Sequence, residues 1–382
     1  MKKTLRKIIS LVLTAGMALS CAALAGCRGG SGAKIKIGIG LYQDQGPAVT
    51  ATREFLKGIS EELNCEFTYV TLSQTDEAAN KTAAQQLISS GCKGLILTMD
   101  SATEAILEEC EKAGVYLGGY LADYETSFDK VKDNPNFVGT VVDGRYSGTA
   151  WGEEIAERII NDGYKNIGMI KFPSFAFPHQ NEMDAAFRAK IEEYNKTAAD
   201  NEKITVQAET TELMFQPLSA DYFSANPNID AIFGMCAGVD FIYPTLTQNN
   251  KTNIKLYTAG FSVDDSVLGN FGTSGNGCFQ ELVFSNVEAI AYPLVMLLNK
   301  IEGKEFEDAP AEAQRVDSSQ IRITNNEELD TVKEKSMYYT GKFENSFLTA
   351  SEVSDLLAKN GGTHEGLVKA VQSMSMEDLK AR

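Results

Sequence analysis

The stretch from Gly94 to Leu121, GLILTMDSATEAILEECEKAGVYLGGYL, decides the fold class of this chain. Its two short apolar runs, at 94–99 and 115–121, predict buried strands. The amphipathic run from Thr103 to Ala113 between them predicts a helix. A strand, a helix and a second strand in close succession are typical of a unit in which the two strands lie parallel.

The same alternation continues along the chain from Lys34 onward. It predicts further strands at 35–41, 65–72, 137–142, 166–172, 204–209, 229–235, 254–260, 278–282 and 319–324. It predicts further helices at 48–63, 75–90, 147–161, 181–194, 218–225, 239–248, 287–301 and 349–358. We therefore predict an α/β protein with two doubly wound parallel-sheet lobes. A ligand is expected in the cleft between the lobes, beyond the carboxyl ends of the strands.

The N-terminal residues predict export and lipid attachment. Basic residues occupy four of the first seven positions, an apolar stretch follows, and it ends in Leu24-Ala25-Gly26-Cys27. This order predicts a signal peptide at 1–26, lipidation of Cys27 and a tether at 27–33. The expected location is the extracytoplasmic face of the cell membrane, held by the lipid. An uncleaved membrane anchor, or an ordinary signal followed by a chance cysteine, is the alternative.

The charge of the chain argues against one class of partner. Residues 1–26 carry four basic and no acidic side chains, so their removal changes the net charge from −17 to −21 (−17 minus 4). A chain this acidic repels phosphate backbones, and we do not expect it to bind nucleic acid. No later apolar run is long enough to span a bilayer.

The cysteines do not predict a metal site, and no cofactor is expected. None of the five cysteines after Cys27 forms a Cys-x-x-Cys pair, which argues against zinc. We expect small buried apolar side chains, and because five is odd, at least one thiol stays free or pairs between chains. The five are Cys65, Cys92, Cys110, Cys236 and Cys278.

Seven short motifs, in order, carry a resemblance to a known family. They are Ile35-Lys36-Ile37-Gly38-Ile39, Gly94-Leu95-Ile96-Leu97, Lys112-Ala113-Gly114-Val115, Phe137-Val138-Gly139 up to Asp143, Ile167-Gly168-Met169-Ile170, Asp230-Ala231-Ile232-Phe233 and Ala259-Gly260-Phe261. With its lipoprotein start, the chain resembles the type I periplasmic-binding-protein family. These are the ribose- and galactose-type sugar-binding components of ABC transporters.

The resemblance implies three crossovers between the lobes, near Val142, Gln280 and Asp317. The N-terminal lobe would then hold 34–142 and 281–317, and the C-terminal lobe 143–280 and 318–382. The partners it implies are a small solute and the permease of an ABC transporter, and we expect a monomer.

The resemblance also implies where ligand contacts lie, and this chain departs from the pattern at four of five positions. Leu121, Met183, Cys236-Ala237 and Ser262 stand where sugar-binding relatives carry charged or amide side chains, while Gln280 matches. Asp123, two places beyond Leu121, and Asp240, near Cys236, are candidate replacements. Either the alignment slips locally, or the ligand is not a simple pentose or hexose bound in the usual way.

Aromatic and polar residues after predicted strands complete the candidate site. Tyr42 follows the first strand, and Gln43 and Asp44 follow it in the same loop. Phe175 and Phe177 lie in a proline-restricted loop after the 166–172 strand. Flat rings stack on sugar faces or bases, and the polar groups can hold hydroxyls. The alternative is that the rings pack the lobes and the polar groups are solvated.

The sequence favours binding over catalysis. It has two histidines, and its Gly272–Gly277 run lacks both a nucleophile elbow and a phosphate-loop lysine. We predict a solute-binding lipoprotein, not an enzyme, that delivers a sugar or sugar-like solute to an ABC importer. A nucleoside-binding lipoprotein and a ligand sensor for a membrane receptor are the alternatives.

Replacing Cys27 with serine removes the only thiol at the predicted cleavage site. We expect Cys27→Ser protein to move from the membrane fraction to the soluble fraction, because it cannot take the lipid. Immunoblotting of separated fractions measures this, and Cys65→Ser is the control. Unchanged membrane retention of Cys27→Ser would contradict the lipid anchor.

Overall fold

The computed structural model describes residues 33–142, 149–174, 177–260, 267 and 269–382. The predicted signal peptide, Cys27 and Phe175 lie outside these residues. The strands are β1 Ile35–Leu41, β2 Cys65–Thr71, β3 Gly94–Leu97, β4 Tyr116–Tyr120, β5 Phe137–Val142, β6 Asn166–Lys171, β7 Thr205–Val206, β8 Thr211–Glu212, β9 Ala231–Ala237, β10 Lys255–Ala259, β11 Phe279–Ser285, β12 Arg315–Asp317 and β13 Gln320–Ile323.

The α-helices alternate with these strands and then continue without them. They are α1 Pro47–Ile59, α2 Glu77–Ser89, α3 Thr103–Ala113, α4 Phe128–Val131, α5 Ala150–Asp162, α6 His179–Thr197, α7 Asp221–Ala225, α8 Gly238–Phe241, α9 Tyr243–Gln248, α10 Ala291–Glu302, α11 Asn326–Lys335, α12 Met337–Thr340, α13 Ala350–Asp355, α14 His364–Gln372 and α15 Met376–Ala381. None of the helices in the described part of the chain has the length and apolar character that crossing a bilayer requires.

Two sheets organise the molecule, as the sequence predicts. The first has the order β12-β5-β4-β3-β1-β2 with every pair parallel, and buried residues such as Ile39 and Ile96 lie opposite each other. The second has the order β13-β11-β10-β9-β6-β7, in which only β13 is antiparallel, and β8 also pairs with β6. Parallel strands need helical crossovers, and the helices between strands supply them.

Two predicted elements are interrupted in the structure. Of the strand expected at 204–209, only Thr205 and Val206, which form β7, pair with β6. Beyond them, the backbone N–H of Met169 donates to the side-chain oxygen of Gln207 (3.1 Å) and not to a backbone carbonyl of a continued strand. The helix expected at 239–248 is two short helices, α8 and α9. Pro244 lies in the first turn of α9, where its missing N–H costs nothing.

Among the described strands, the chain changes sheet three times. It leaves the first sheet after Val142, returns to it after Ser285, and leaves it again after Asp317. The middle change comes five residues later than the expected Gln280, because Leu282 to Ser285 pair with β13. Helix α10 then packs on the first sheet. The division of the chain into lobes stays a prediction.

The C-terminal segment forms five short helices where the sequence predicts one. All five start at a side chain that accepts an N–H of the first turn, and Thr349 and Ser375 complete capping boxes. Buried residues of these helices, such as Leu329 and Val371, join the main core. Helices α12, α13 and α14 contact α1 and α10, the helices that follow β1 and β11.

A buried carboxyl group anchors this C-terminal segment. Glu288 is 2% exposed, and its Oε1 accepts the backbone N–H of Phe347 (2.9 Å). Burial raises the pKa of Glu288, since it disfavours the charged form more than the surrounding hydrogen bonds favour it. The Arg382 guanidinium lies 4.6 Å from the Phe347 ring centre and donates to the Ser346 carbonyl (2.7 Å).

The cysteines and Trp151 belong to the core. All five described cysteines are buried, which confirms their expected role as apolar side chains. Trp151 is 3% exposed, and its indole N–H donates to Glu281 Oε1 (3.1 Å). Glu281 is itself buried and pairs with Arg158.

The raised pKa of Glu288 predicts a pH-dependent effect of Glu288→Gln. A carboxyl group whose pKa is higher in the folded state contributes stability below its unfolded pKa, about 4.3. That contribution is lost as the pH rises through the folded pKa. We therefore expect Glu288→Gln to gain unfolding free energy relative to wild type as the pH rises above about 4.3.

Urea unfolding at several pH values measures this difference, with Glu327→Gln as the control because Glu327 is exposed. A difference between Glu288→Gln and wild type that does not change with pH would contradict the assignment.

Candidate functional site

The loop after β1 holds three of the predicted site residues. Gln43 donates from Nε2 to the Tyr42 hydroxyl at 3.5 Å, and both side chains are half-buried. Gly46 has φ +126°, and a Cβ there would lie 2.7 Å from Gln43 Nε2. Only glycine therefore lets Gln43 fold back toward Tyr42. Asp44 is exposed and accepts from Arg53 (3.0 Å), which turns it toward α1.

The loop after β4 carries Asp123 in a strained backbone. Leu121 (φ +58°) and Tyr124 (φ +53°) are both left-handed, a conformation that costs non-glycine residues energy. The buried Tyr124 ring packs 5.4 Å from the Phe137 ring, centre to centre, and holds the loop in place. Asp123, between the two strained residues, projects toward the second sheet.

A hydrogen bond from His179 to Asp123 joins the carboxyl edges of the two sheets. His179 begins α6, which follows β6 of the second sheet, and its Nδ1 lies 3.0 Å from Asp123 Oδ2. Burial raises the pKa of Asp123, but the hydrogen bond and charge of His179 outweigh burial, and the pKa lies below its ordinary value. Since the ionised carboxylate only accepts, His179 Nδ1–H is the donor.

Glu125 strengthens the same contact. Its backbone N–H donates to Asp123 Oδ1 (3.0 Å), and burial and the neighbouring Asp123 raise the pKa of its own carboxyl group. Asp123, Glu125 and His179 have ligand atoms within 4.8 Å of one another, close enough to share a metal ion. Their hydrogen bonds to one another account for this closeness, and we assign them the role of joining the loops.

The phenylalanines of the second sheet pack on one another. Phe177 lies 5.1 Å from the Phe172 ring centre, and Phe172 lies 5.4 Å from Phe215 and 5.3 Å from Phe241. Phe172 is 1% exposed, and Phe177 is half-buried with an edge toward His179 (5.8 Å). Most of this aromatic surface is therefore used within the protein, and Phe177 supports the His179 end of α6.

Two other predicted residues do not join this group. Gln280 is the second residue of β11, so it lies at the amino end of the strand, about 16 Å along it from the carboxyl edge. Its amide donates to the Gly277 carbonyl (3.0 Å). Asp240 is exposed on the short helix α8, after the carboxyl end of β9.

A comparison with models of protein families identifies the family to which this chain belongs. The model described as a periplasmic binding protein domain matches residues 37–305. The chain belongs to this family. No curated protein matches the sequence.

Solved structures share the type I periplasmic-binding-protein fold. One is a sugar ABC transporter protein from Yersinia enterocolitica, 19% identical, covering 83% of this chain and 96% of its own, with TM-score 0.58. Another is a solute-binding protein from Burkholderia graminis in complex with D-arabinose (15%, 78% and 98%, 0.59). A third is a 5-methylthioribose transporter protein from Thermotoga lettingae with 5-methylthioribose (12%, 88% and 96%, 0.56). At these identities the likeness shows the fold.

The carboxyl ends of three strands carry buried polar residues that the sequence does not mark as site candidates. Ser285 ends β11, and Ser318 follows β12; both hydroxyl oxygens are buried and have no hydrogen-bond partner in the described residues. Lys171 ends β6, is 8% exposed, and donates to Ser174 (3.1 Å) beside Glu212 (3.4 Å). Nothing in their sequence spacing marks these residues, because their position depends on where each strand ends.

Removing the Asp123 carboxylate should weaken the connection between the sheets. We expect Asp123→Ala to lower the free energy of unfolding by about 1–3 kcal/mol, because it leaves a buried His179 donor without its charged acceptor. We also expect a larger radius of gyration in small-angle scattering without ligand. Asp129→Ala, at a side chain 92% exposed, is the control. Unchanged stability and unchanged dimensions would contradict this role.

Proposed function

We propose that this chain is an extracytoplasmic solute-binding lipoprotein that delivers a sugar or sugar-like solute to an ABC importer, and that it has no enzymatic activity. The observation that carries the proposal is the meeting of two carboxyl edges through Asp123 and His179. Ligands of open parallel sheets bind beyond these edges. Here the β1 loop, the β4 loop and the start of α6 all end there.

The residues around this meeting point suit a hydroxyl-rich solute. Tyr42 supplies a ring and a hydroxyl, and Gln43 supplies an amide, on the first-sheet side. Ser285 and Ser318 offer hydroxyls with no protein partner in the described residues. A few fixed polar groups and an aromatic face are what small-molecule sites use to orient a ligand. We propose Ser285 in place of Gln280 as the polar contact on β11.

The relatives support a sugar-like ligand. Two of the solved structures hold D-arabinose and 5-methylthioribose, and a third is a sugar transporter protein. The mutual packing of the second-sheet phenylalanines leaves less ring surface for a purine, so we place a sugar before a nucleoside. Membership of the family supports an importer partner, and the Leu24–Cys27 motif supports the lipid anchor.

A thermal-shift screen of the mature protein against sugars, polyols, nucleosides and amino acids tests the ligand class. A ligand at 100 times its dissociation constant stabilises the folded state by about 2.7 kcal/mol. We expect sugars to give the largest shifts. Stabilisation by nucleosides or amino acids alone would contradict the proposed class.

Tyr42→Ala and Phe177→Ala should separate binding from packing. We expect Tyr42→Ala to weaken affinity for the best sugar roughly tenfold to a hundredfold, about 1.4–2.8 kcal/mol, and to change the melting temperature little. Phe177→Ala should mainly lower the melting temperature, because its ring packs on Phe172. Titration calorimetry and thermal unfolding measure both. Near-normal affinity in folded Tyr42→Ala would remove Tyr42 from the site.

A further inference from the structure

The C-terminal extension, residues 326–382, follows β13 and lies beyond the part of the chain that matches the family model. It packs against the core. Helix α12 contacts α1, and the Tyr338 ring lies 4.3 Å from the ring centre of Phe284 on β11. The extension therefore places side chains beside the first helix and the middle change of sheet, next to Ser285, which is proposed to bind ligand.

A cavity of about 570 Å³ lies between the extension and the β1 loop. One wall is formed by the start of α1 and the loop before it, with Asp44, Gln45, Thr50 and Arg53. The other wall is formed by the extension, with Tyr338 and Tyr339. The volume falls within the range of small-molecule sites, about 300–1,000 Å³.

The cavity is continuous in sequence with the proposed site. Tyr42 and Gln43 follow the carboxyl end of β1, and Asp44 and Gln45, the next two residues, line the cavity. A ligand bound at Tyr42 that is longer than one ring can therefore extend toward Tyr339. The wall formed by the extension lies outside the residues that match the family model, so the family match does not predict this part of the cavity.

The lining is polar and aromatic but not strongly charged. Asp44 and Arg53 pair at 3.0 Å, so their charges offset each other. The Arg53 guanidinium also lies 5.2 Å from the Tyr69 ring centre, and its Nε is buried with no hydrogen-bond partner in the described residues. Phenol rings, an amide, a hydroxyl and an N–H donor suit an uncharged, hydroxyl-rich ring better than an ion.

We propose that the C-terminal extension adds a second subsite to the cleft, so that the ligand is an uncharged saccharide of at least two rings. This inference rests on the proposed function. It also gives a physical reason for the four contact positions at which this chain departs from its monosaccharide-binding relatives, because an extended ligand distributes its contacts over more residues.

A cavity-filling substitution tests the subsite without removing a buried contact. Thr50 is exposed on α1 and lines the cavity, so Thr50→Trp should occupy it. Lys57→Trp is the matched control, since Lys57 is exposed two turns later on the same face of α1, outside the cavity. Circular dichroism and thermal unfolding show whether both variants fold.

Each monosaccharide probe is compared with a disaccharide that contains it. Glucose is compared with cellobiose and with maltose, xylose with xylobiose, and galactose with lactose. We expect a disaccharide to bind at least tenfold more tightly than its own monosaccharide. We expect Thr50→Trp to weaken that disaccharide at least tenfold and to leave the monosaccharide unchanged, while Lys57→Trp binds both normally.

Two results would overturn the subsite and leave the proposed function standing. In one, a monosaccharide binds and no disaccharide binds more tightly. In the other, Thr50→Trp binds the preferred disaccharide with wild-type affinity. Failure of every saccharide to bind would overturn the proposed function, and the subsite with it.

Discussion

Parallel strand pairing is the constraint on which the rest of this structure depends. When strands run in the same direction, every loop that follows a strand comes to the same edge of the sheet. The loops after β1 and β4, which carry Tyr42 and Asp123, therefore lie at one edge of the first sheet, and the turn into α6, which carries His179, follows the carboxyl end of β6 in the second. The Asp123–His179 hydrogen bond then joins one edge to the other. The chemistry of the site follows from which residues happen to end each strand.

Much of the fold could be predicted because buried parallel strands leave a strong pattern. Runs such as Gly94–Leu97 are apolar throughout, since both faces of the strand are covered by helices. The pattern failed where a side chain or a proline replaced a backbone hydrogen bond, as at Gln207 and Pro244. It also failed in the C-terminal extension, whose short helices begin at capping side chains and bury only a few apolar residues each.

The site was harder to predict than the fold, for a physical reason. Gln280 matched a family position in sequence, but β11 continues to Ser285, and the difference carries Gln280 to the opposite edge of the sheet. His179 had no neighbouring motif, because its partner Asp123 comes from the other sheet. Phe177 was a reasonable stacking candidate, yet Phe172 and Phe215 take up much of its ring surface. Such contacts depend on strand ends and long-range packing, which local spacing does not record.

The central claim is that one ligand touches both carboxyl edges at once. A crystal structure with the sugar that gives the largest thermal shift tests this most directly. The account predicts ligand atoms within about 4 Å of Tyr42 on the first-sheet side and of the His179 end of α6 on the other. Ligand bound to one edge alone, or away from both, would contradict it.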